Sequence, residues 1–272
     1  MKTYFVISDT HSFYKETISA LEEKGFDPTN DEHIIIHCGD LCDRGPDSWN
    51  MVEWAYNLYK LNRFIFIRGN HEDLFENMIR YNQWTSNDEH NGTLKTLAQL
   101  QYTKYATESK AKRLFYEYIY KYNKHWDELR ASAVNFYETN HYIFVHGWIP
   151  CVVGSTYLDE KNHICQTHMT MPNWRKASEK YWHNARWENG MALADEGCLA
   201  DKTIVCGHFH TSWGHINKML KDGCAAILKN YEFDFTAKAL FQPYYNEGII
   251  AIDACTAGTH MVNVLKFTEE EI

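Results

Sequence analysis

Six short runs of apolar residues punctuate the chain: TYFVIS (3–8), HIIIHC (33–38), RFIFIR (63–68), YIFVHG (142–147), TIVCG (203–207) and GIIAID (248–253). They are rich in β-branched and aromatic residues and nearly continuous, the pattern of strands buried on both faces. Between the first three lie stretches with apolar residues at helical spacing, SFYKETISALEEKG (12–25), closed by the helix-stopping Gly25, and DSWNMVEWAYNLYKLN (47–62). Strand and helix in alternation predict β-α-β units and a layered α/β fold. Residues 72–140 read differently. LFENMIRYNQW and KAKRLFYEYIYKYNKHWDEL are helical in period, and the polar stretch TSNDEHNGT breaks them apart. The expectation is a helical insertion or cap at about 72–140 within a single domain spanning 1–272. The segment 151–200 has little periodicity and reads as long loops with short helices.

Chemistry collects where the apolar runs stop. Asp9-Thr-His11 follows the first run, Gly39-Asp40-Leu-Cys-Asp43-Arg44-Gly45 the second, and Arg68-Gly69-Asn70-His71-Glu72 the third. His146-Gly147 and Gly207-His208-Phe-His210 end the fourth and fifth. In open α/β sheets ligands bind outside the carboxyl ends of the strands, so parallel neighbours would bring these groups to one rim. Asp9, His11, Asp40, Asn70, His146, His208 and His210 are all nitrogen or oxygen donors. They exceed what one ion uses, but suit two ions about 3.5–4 Å apart sharing a carboxylate. Mixed imidazole and carboxylate ligation favours manganese, iron, zinc or cobalt over calcium or magnesium. No role is read for the remaining histidines, including His33, His37, His90 and His215.

The totals narrow the partners. The 272 residues are 44% apolar and 23% charged, an ordinary globular balance, with 15% aromatics. A net charge of -9 gives no general attraction to nucleic acid or anionic lipid, so neither a nucleic-acid polymer nor a membrane is expected as partner. No stretch approaches the roughly 20 apolar residues of a membrane span. The opening MKTYFVISDT lacks a cleavage-type site, so a cytoplasmic protein is expected. The eight cysteines show no paired metal-type spacing and read as reduced core thiols, with Cys42, beside the charged cluster, the one exposed to oxidation. No oligomeric state follows from the sequence.

The five motifs, with GDLCDRG and RGNHE about 30 residues apart, resemble the signature set of the calcineurin-like metallophosphoesterases. They are most similar to the phosphoprotein phosphatase branch and its bacterial and phage members. Two features differ from that branch: SDTHS stands where it has glycines on both sides, and GHFH is the broader superfamily's form. The resemblance spans residues 5 to about 260 and implies a β-sandwich flanked by helices. It implies that Asp9, His11 and His210 hold one divalent transition metal and that Asn70, His146 and His208 hold a second. Asp40 would bridge the two. Mn2+ is the first choice, with Fe, Zn, Co or Ni as alternatives. It further implies that a hydroxide between the metals attacks phosphorus, that His71, oriented and kept protonated by Asp43, gives a proton to the leaving oxygen, and that Arg44 and Arg68 grip the phosphate. The physical chemistry agrees: paired cations acidify bound water, and the planar, permanently charged guanidinium matches phosphate oxygens. A further substrate arginine is expected between His146 and His208. Arg186, in YWHNARWENG, and Arg175, in NWRKAS, are the two candidates.

The resulting expectation is a phosphomonoesterase acting on a phosphoprotein, a nucleotide or a small phosphoester, with serine/threonine protein phosphatase as the first substrate reading. The alternative is a dinucleoside polyphosphate hydrolase of the diadenosine tetraphosphate type, for which tryptophans and tyrosines in 174–187 and in the insertion would stack a base. A non-catalytic, metal-stabilised binding module is the remote alternative.

Overall fold

A computed structural model describes residues 1–101, 107–118, 123–158, 163–224 and 226–272. The part of the expected insertion helix at 119–122 lies outside the described residues. In chain order the strands are β1 (Thr3–Ile7), β2 (His33–His37), β3 (Phe64–Phe66), β4 (Tyr137–Glu138), β5 (Tyr142–Phe144), β6 (Cys151–Leu158), β7 (Ile164–Thr170), β8 (Thr203–Cys206), β9 (Tyr244–Asn246), β10 (Ile249–Ala251) and β11 (Leu265–Thr268). All six apolar runs are strands, but they fall into two sheets. The first has the order β11-β1-β2-β3 and the second β4-β5-β8-β10-β9. Within them β1-β2-β3 and β5-β8-β10 are parallel trios, and the outer strands β11, β4 and β9 run antiparallel.

The strand alternation explains the layering. Tyr4, Val6, Ile34 and Ile36 of the first sheet meet Phe144, Val205 and Ile250 of the second in a core between the sheets. Their neighbours Phe5, Ile7 and Ile35 point the other way, toward Leu21, Met51, Val52 and Ala55 of the helices Tyr14–Glu23 and Ser48–Lys60. On the far side Ile143, Ile204 and Ile249 pack on Trp182, Met191 and Leu193. Period-2 side chains with apolar groups on both faces require a cover on each face, and here each sheet has one. The α/β sandwich flanked by helices therefore stands as expected.

Two expectations about local structure are corrected. TSNDEHNGT is not a break. Residues Ser86–Asn91 are a helix, capped by Thr85, whose side chain and Asp88 satisfy each other's backbone N–H groups, and ended by left-handed Gly92. A six-residue polar helix has no apolar stripe to betray it. The segment 151–200 is not mainly loop either, since β6 and β7 form an antiparallel hairpin with a bulge between Val153 and Ser155. Most of the hairpin is exposed or half-exposed, so its side chains never had to alternate.

Candidate metal centre

The loops after β1 and β2 lie side by side, and hydrogen bonds zip them together. Asp9 N–H donates to the Gly39 carbonyl at 3.1 Å, His11 N–H to Asp40 at 3.1 Å, and Ser12 N–H to Leu41 at 2.9 Å. Asp9, His11, Asp40, Asp43 and Arg44 all have φ between 47° and 76°, and His208 joins them at 65°. Left-handed conformations are costly for residues with side chains and persist only where the surroundings over-determine them, commonly at functional sites. The third loop starts the helix Asn70–Tyr81. Its Glu72 carboxylate accepts the N–H groups of Gly69 (2.8 Å), Asp40 (3.0 Å) and Leu41 (3.2 Å), which pins loop two to loop three. Gly207 is required by close approach: a Cβ there would overlap Ser8 Oγ and Asp9 Oδ2.

Asp40 sits at the centre. Its Oδ2 lies 3.8 Å from His11 Nε2 and 3.7 Å from His71 Nε2. Its Oδ1 faces the other way, 3.3 Å from His146 Nε2, and accepts the His71 N–H at 3.0 Å. Asn70 Oδ1 is 2.8 Å from the same His146 nitrogen. Two groups therefore share Asp40, His11-Asp40-His71 and Asp40-His146-His208, each with its donor atoms within 4.8 Å of one another. Asp9 binds the second sheet's loop, its Oδ2 accepting the His208 N–H at 2.9 Å.

The imidazoles are held from behind. His11 Nδ1 donates to the Cys42 carbonyl at 3.0 Å and His146 Nδ1 to the Cys38 carbonyl at 2.8 Å. The His208 ring meets the Trp187 indole edge-to-face, with centroids 6.0 Å apart. His210 Nδ1 bonds Ser212 Oγ at 2.8 Å, and that hydroxyl in turn donates to the Glu232 carbonyl. For His11, a carbonyl partner on Nδ1 fixes the proton there and leaves Nε2 with a lone pair, the arrangement of metal-binding histidines. Burial pushes the pKa of His11 and His146 well below the ordinary value, and pushes His208 and His210 down to about 4. Burial first, and then neighbouring carboxylates, push Asp9 and Asp40 well up. Neutral imidazoles around crowded, desolvated carboxylates are a donor set that fits cations.

Not every expected residue enters the cluster. His210's recorded partners are Ser212, Glu232 and the rings of Phe209, Phe233 and Phe241, and none is another expected ligand. Arg44 is exposed and donates to His71 Nε2 at 3.1 Å, and no carboxylate pairs with it among the described residues. Arg68 is committed elsewhere, to Asp73 at 2.6 Å and to Glu76. Arg186 is buried against Asp73 at 2.8 Å, Asn135 at 2.7 Å and Glu179. Arg175 pairs with Glu138 at 2.8 Å and Asp201 at 2.6 Å on the second sheet's edge. His71 Nδ1 donates to Asp43 Oδ2 at 2.8 Å as expected, yet burial outweighs the carboxylate and the ring's pKa is lowered, not raised. Cys42 is corrected too: it is buried and its thiol pKa is pushed well up by burial, so it is poorly placed for oxidation.

Three contributors escaped the sequence reading. Thr93 and Thr96, on the helix Thr93–Gln101, donate to the two oxygens of Asp43 at 2.7 Å each. The helix Thr93–Gln101 thus orients the carboxylate that contacts His71. Asp253 follows β10 and its buried charge helps push up Asp9, while burial raises Asp253 itself to about 6. The strand-end rule that found the other ligands applies to GIIAID as well. A surface groove of about 810 Å³, lined by Lys15, Glu16, Gln242, His260 and Asn263 among others, contains none of the expected ligands.

Residues 2–235 match the family model described as calcineurin-like phosphoesterase. The chain belongs to that family. Its members carry a binuclear metal centre, and the groups around Asp40 supply candidate ligands for one. Among curated proteins, the symmetrical bis(5'-nucleosyl)-tetraphosphatase of Buchnera aphidicola is 42% identical over 72 residues, 26% of this chain and 24% of that protein. Serine/threonine-protein phosphatase 1 of Salmonella typhimurium is 34% identical over 70 residues, 26% of this chain and 30% of that protein. The chain thus spans roughly a quarter of the length of these curated relatives. A cold-active protein-tyrosine phosphatase of a psychrophilic Shewanella has a similar solved structure, with a TM-score of 0.50 and 14% identity over 99% of this chain and 76% of that one, an agreement in fold. Among the described residues no helix is long and apolar enough to cross a membrane.

Proposed function

We propose that this calcineurin-like phosphoesterase is a binuclear metal-dependent phosphoester hydrolase acting on a phosphomonoester. The observation that carries the reading is Asp40, whose two oxygens face two separate donor groups. Asp9, His11 and His210 would hold one divalent transition ion, and Asn70, His146 and His208 the other, with Asp40 common to both. Manganese leads iron, zinc, cobalt and nickel as the native metal. For His210 this requires its ring to turn from the Phe233 side. Two such ions, when bound, polarise phosphoryl oxygens and acidify water between them.

The chain's own residues do the rest. Arg44, which no carboxylate pairs with among the described residues, would meet the non-bridging oxygens, whereas Arg68 and Arg186 are paired with carboxylates that they hold in place. Arg44 covers His71 Nε2 in the free protein. A phosphate that draws the guanidinium away uncovers Nε2, which takes up a proton from solvent and passes it to the leaving oxygen, while Asp43, held by Thr93 and Thr96, steadies the imidazolium in between. The protein would work in the cytoplasm, on a phosphoprotein, a nucleotide or a small phosphoester. A dinucleoside polyphosphate is the second substrate reading, favoured by the activity for which the Buchnera relative is named.

Metal analysis of the purified protein, followed by a screen of phosphopeptides, nucleotides and dinucleoside polyphosphates with manganese-loaded protein, tests the proposal. Two bound ions and turnover of one class are expected. A protein that binds no metal and turns over none of them would instead be a non-catalytic member of its family.

A further inference from the structure

Two exposed aromatic rings stand against the expected ligands. The Trp187 indole meets the His208 ring edge-to-face, with centroids 6.0 Å apart, and is 44% exposed. The Phe233 ring meets His210 at 5.0 Å and is 65% exposed. His208 and His210 are two residues apart, so both aromatics border the same loop. What sets these two apart from other exposed rings is their position, each against an expected ligand with a face open to solvent, where a planar group could stack.

Trp187 is also rigidly placed. Its N–H donates to the Asn184 carbonyl at 2.9 Å, and the preceding Arg186 is buried in ion pairs with Asp73 and Glu179. A preorganised ring loses little freedom on stacking. Other exposed aromatics, such as Tyr81, Tyr157 and Tyr245, have no recorded ring contact with an expected ligand.

We propose that Trp187 and Phe233 are specificity-determining residues that stack a planar, base-bearing leaving group, and so select nucleotides over alkyl phosphates. Each base stacked on an aromatic side chain contributes enough to change affinity several-fold to about a hundredfold. The inference rests on the proposed phosphoesterase reading, and its test separates the two.

The probes are adenosine 5'-monophosphate and ribose 5-phosphate, which share a primary leaving oxygen and differ by the base. The manganese-loaded protein should show a kcat/KM about tenfold or more higher for the nucleotide. Trp187→Leu and Phe233→Leu should each cut that preference several-fold, mainly through KM, with rates on ribose 5-phosphate and metal content unchanged. Trp187→Phe should restore much of it. Equal kcat/KM for the two probes, or leucine variants that lower both rates in the same proportion, would overturn the stacking role while leaving the phosphoesterase intact. If neither probe is turned over, calorimetric titration of the same two compounds still decides: tighter nucleotide binding that is lost in both leucine variants supports the platform, and equal binding refutes it.

Discussion

The rim of the first sheet and the rim of the second contribute to the centre in different ways. The first supplies Asp9, His11, Asp40, Asn70 and His71 from three loops that hydrogen-bond to one another and to Glu72, with most of the strained backbone of the site concentrated there. The second supplies imidazoles, of which His146 is held by the Cys38 carbonyl and His210 by the Ser212 hydroxyl. Contacts across the gap are few and specific: His146 to the Cys38 carbonyl and Asn70, and Asp9 to the His208 N–H. A rim built of cross-braced loops is ordered by the chain itself. A rim of imidazoles facing two desolvated carboxylates is braced less by the chain and is a donor set suited to cations. Cations complete the second rim more than the first.

The largest expected effect removes the residue that joins the rims. Asp40→Asn keeps the shape but not the charge, and should lower kcat/KM by more than the roughly 10- to 100-fold typical of supporting residues around a metal. Metal content should fall from two ions toward one or none. Two ions retained at full activity would show that Asp40 does not bridge.

Breaking the brace of the first rim tests the comparison from the other side. Glu72→Gln leaves one acceptor oxygen for three buried N–H groups. A buried donor left unsatisfied costs about 1–3 kcal/mol, so a loss of roughly that size is expected in urea unfolding, with or without metal. Were the loss to appear only in metal-free protein, the cations rather than Glu72 would be ordering loops two and three.

Smaller still is the effect of the helix Thr93–Gln101. Thr96→Val keeps the volume and deletes the hydroxyl that holds Asp43 Oδ1. Metal content should be unchanged and kcat should fall by about tenfold, more on substrates with poor leaving groups, since proton transfer is worth about 10²–10⁴-fold and only its geometry is disturbed. A uniform loss on good and poor leaving groups would place Asp43 outside proton delivery.

These contrasts also show what the sequence could carry. Strands buried on both faces announce themselves as unbroken apolar runs, and a carboxylate or imidazole at the end of each is visible without a structure. Asp253 was equally visible at the end of GIIAID, but none of the five motifs that carry the resemblance includes it. Thr93 and Thr96 were not, because a hydroxyl on a helix some 50 residues from Asp43 has no local signature. The arginines were ambiguous for a related reason. Charge beside a motif suggests phosphate, but Arg68 and Arg186 converge on Asp73, 113 residues from Arg186, and only the fold reveals that pairing. The hairpin of β6 and β7 stayed hidden because exposed faces put no hydrophobic period on their residues.

Arg175 gives the smallest effect and the cleanest separation of rim from edge. It was a candidate phosphate ligand, yet it lies with Lys202 against Glu138 on the outermost strand of the second sheet. Its bond to Glu138, followed by that of Lys202, holds the Glu138 carboxyl down to about 2. A carboxyl with a depressed folded-state pKa stabilises the fold above its unfolded value, near 4.3, and loses that contribution as pH falls toward 2. The pair is partly exposed, so screening limits it to about 1 kcal/mol or less. Arg175→Gln should therefore lower Tm by a few degrees at neutral pH, the deficit should narrow as pH drops from about 4.5 toward 2, and kcat/KM should stay at the wild-type value. A raised KM for phosphoester with no change in Tm would move Arg175 from the sheet edge to the substrate, and would mean that the second rim supplies a phosphate ligand as well as imidazoles.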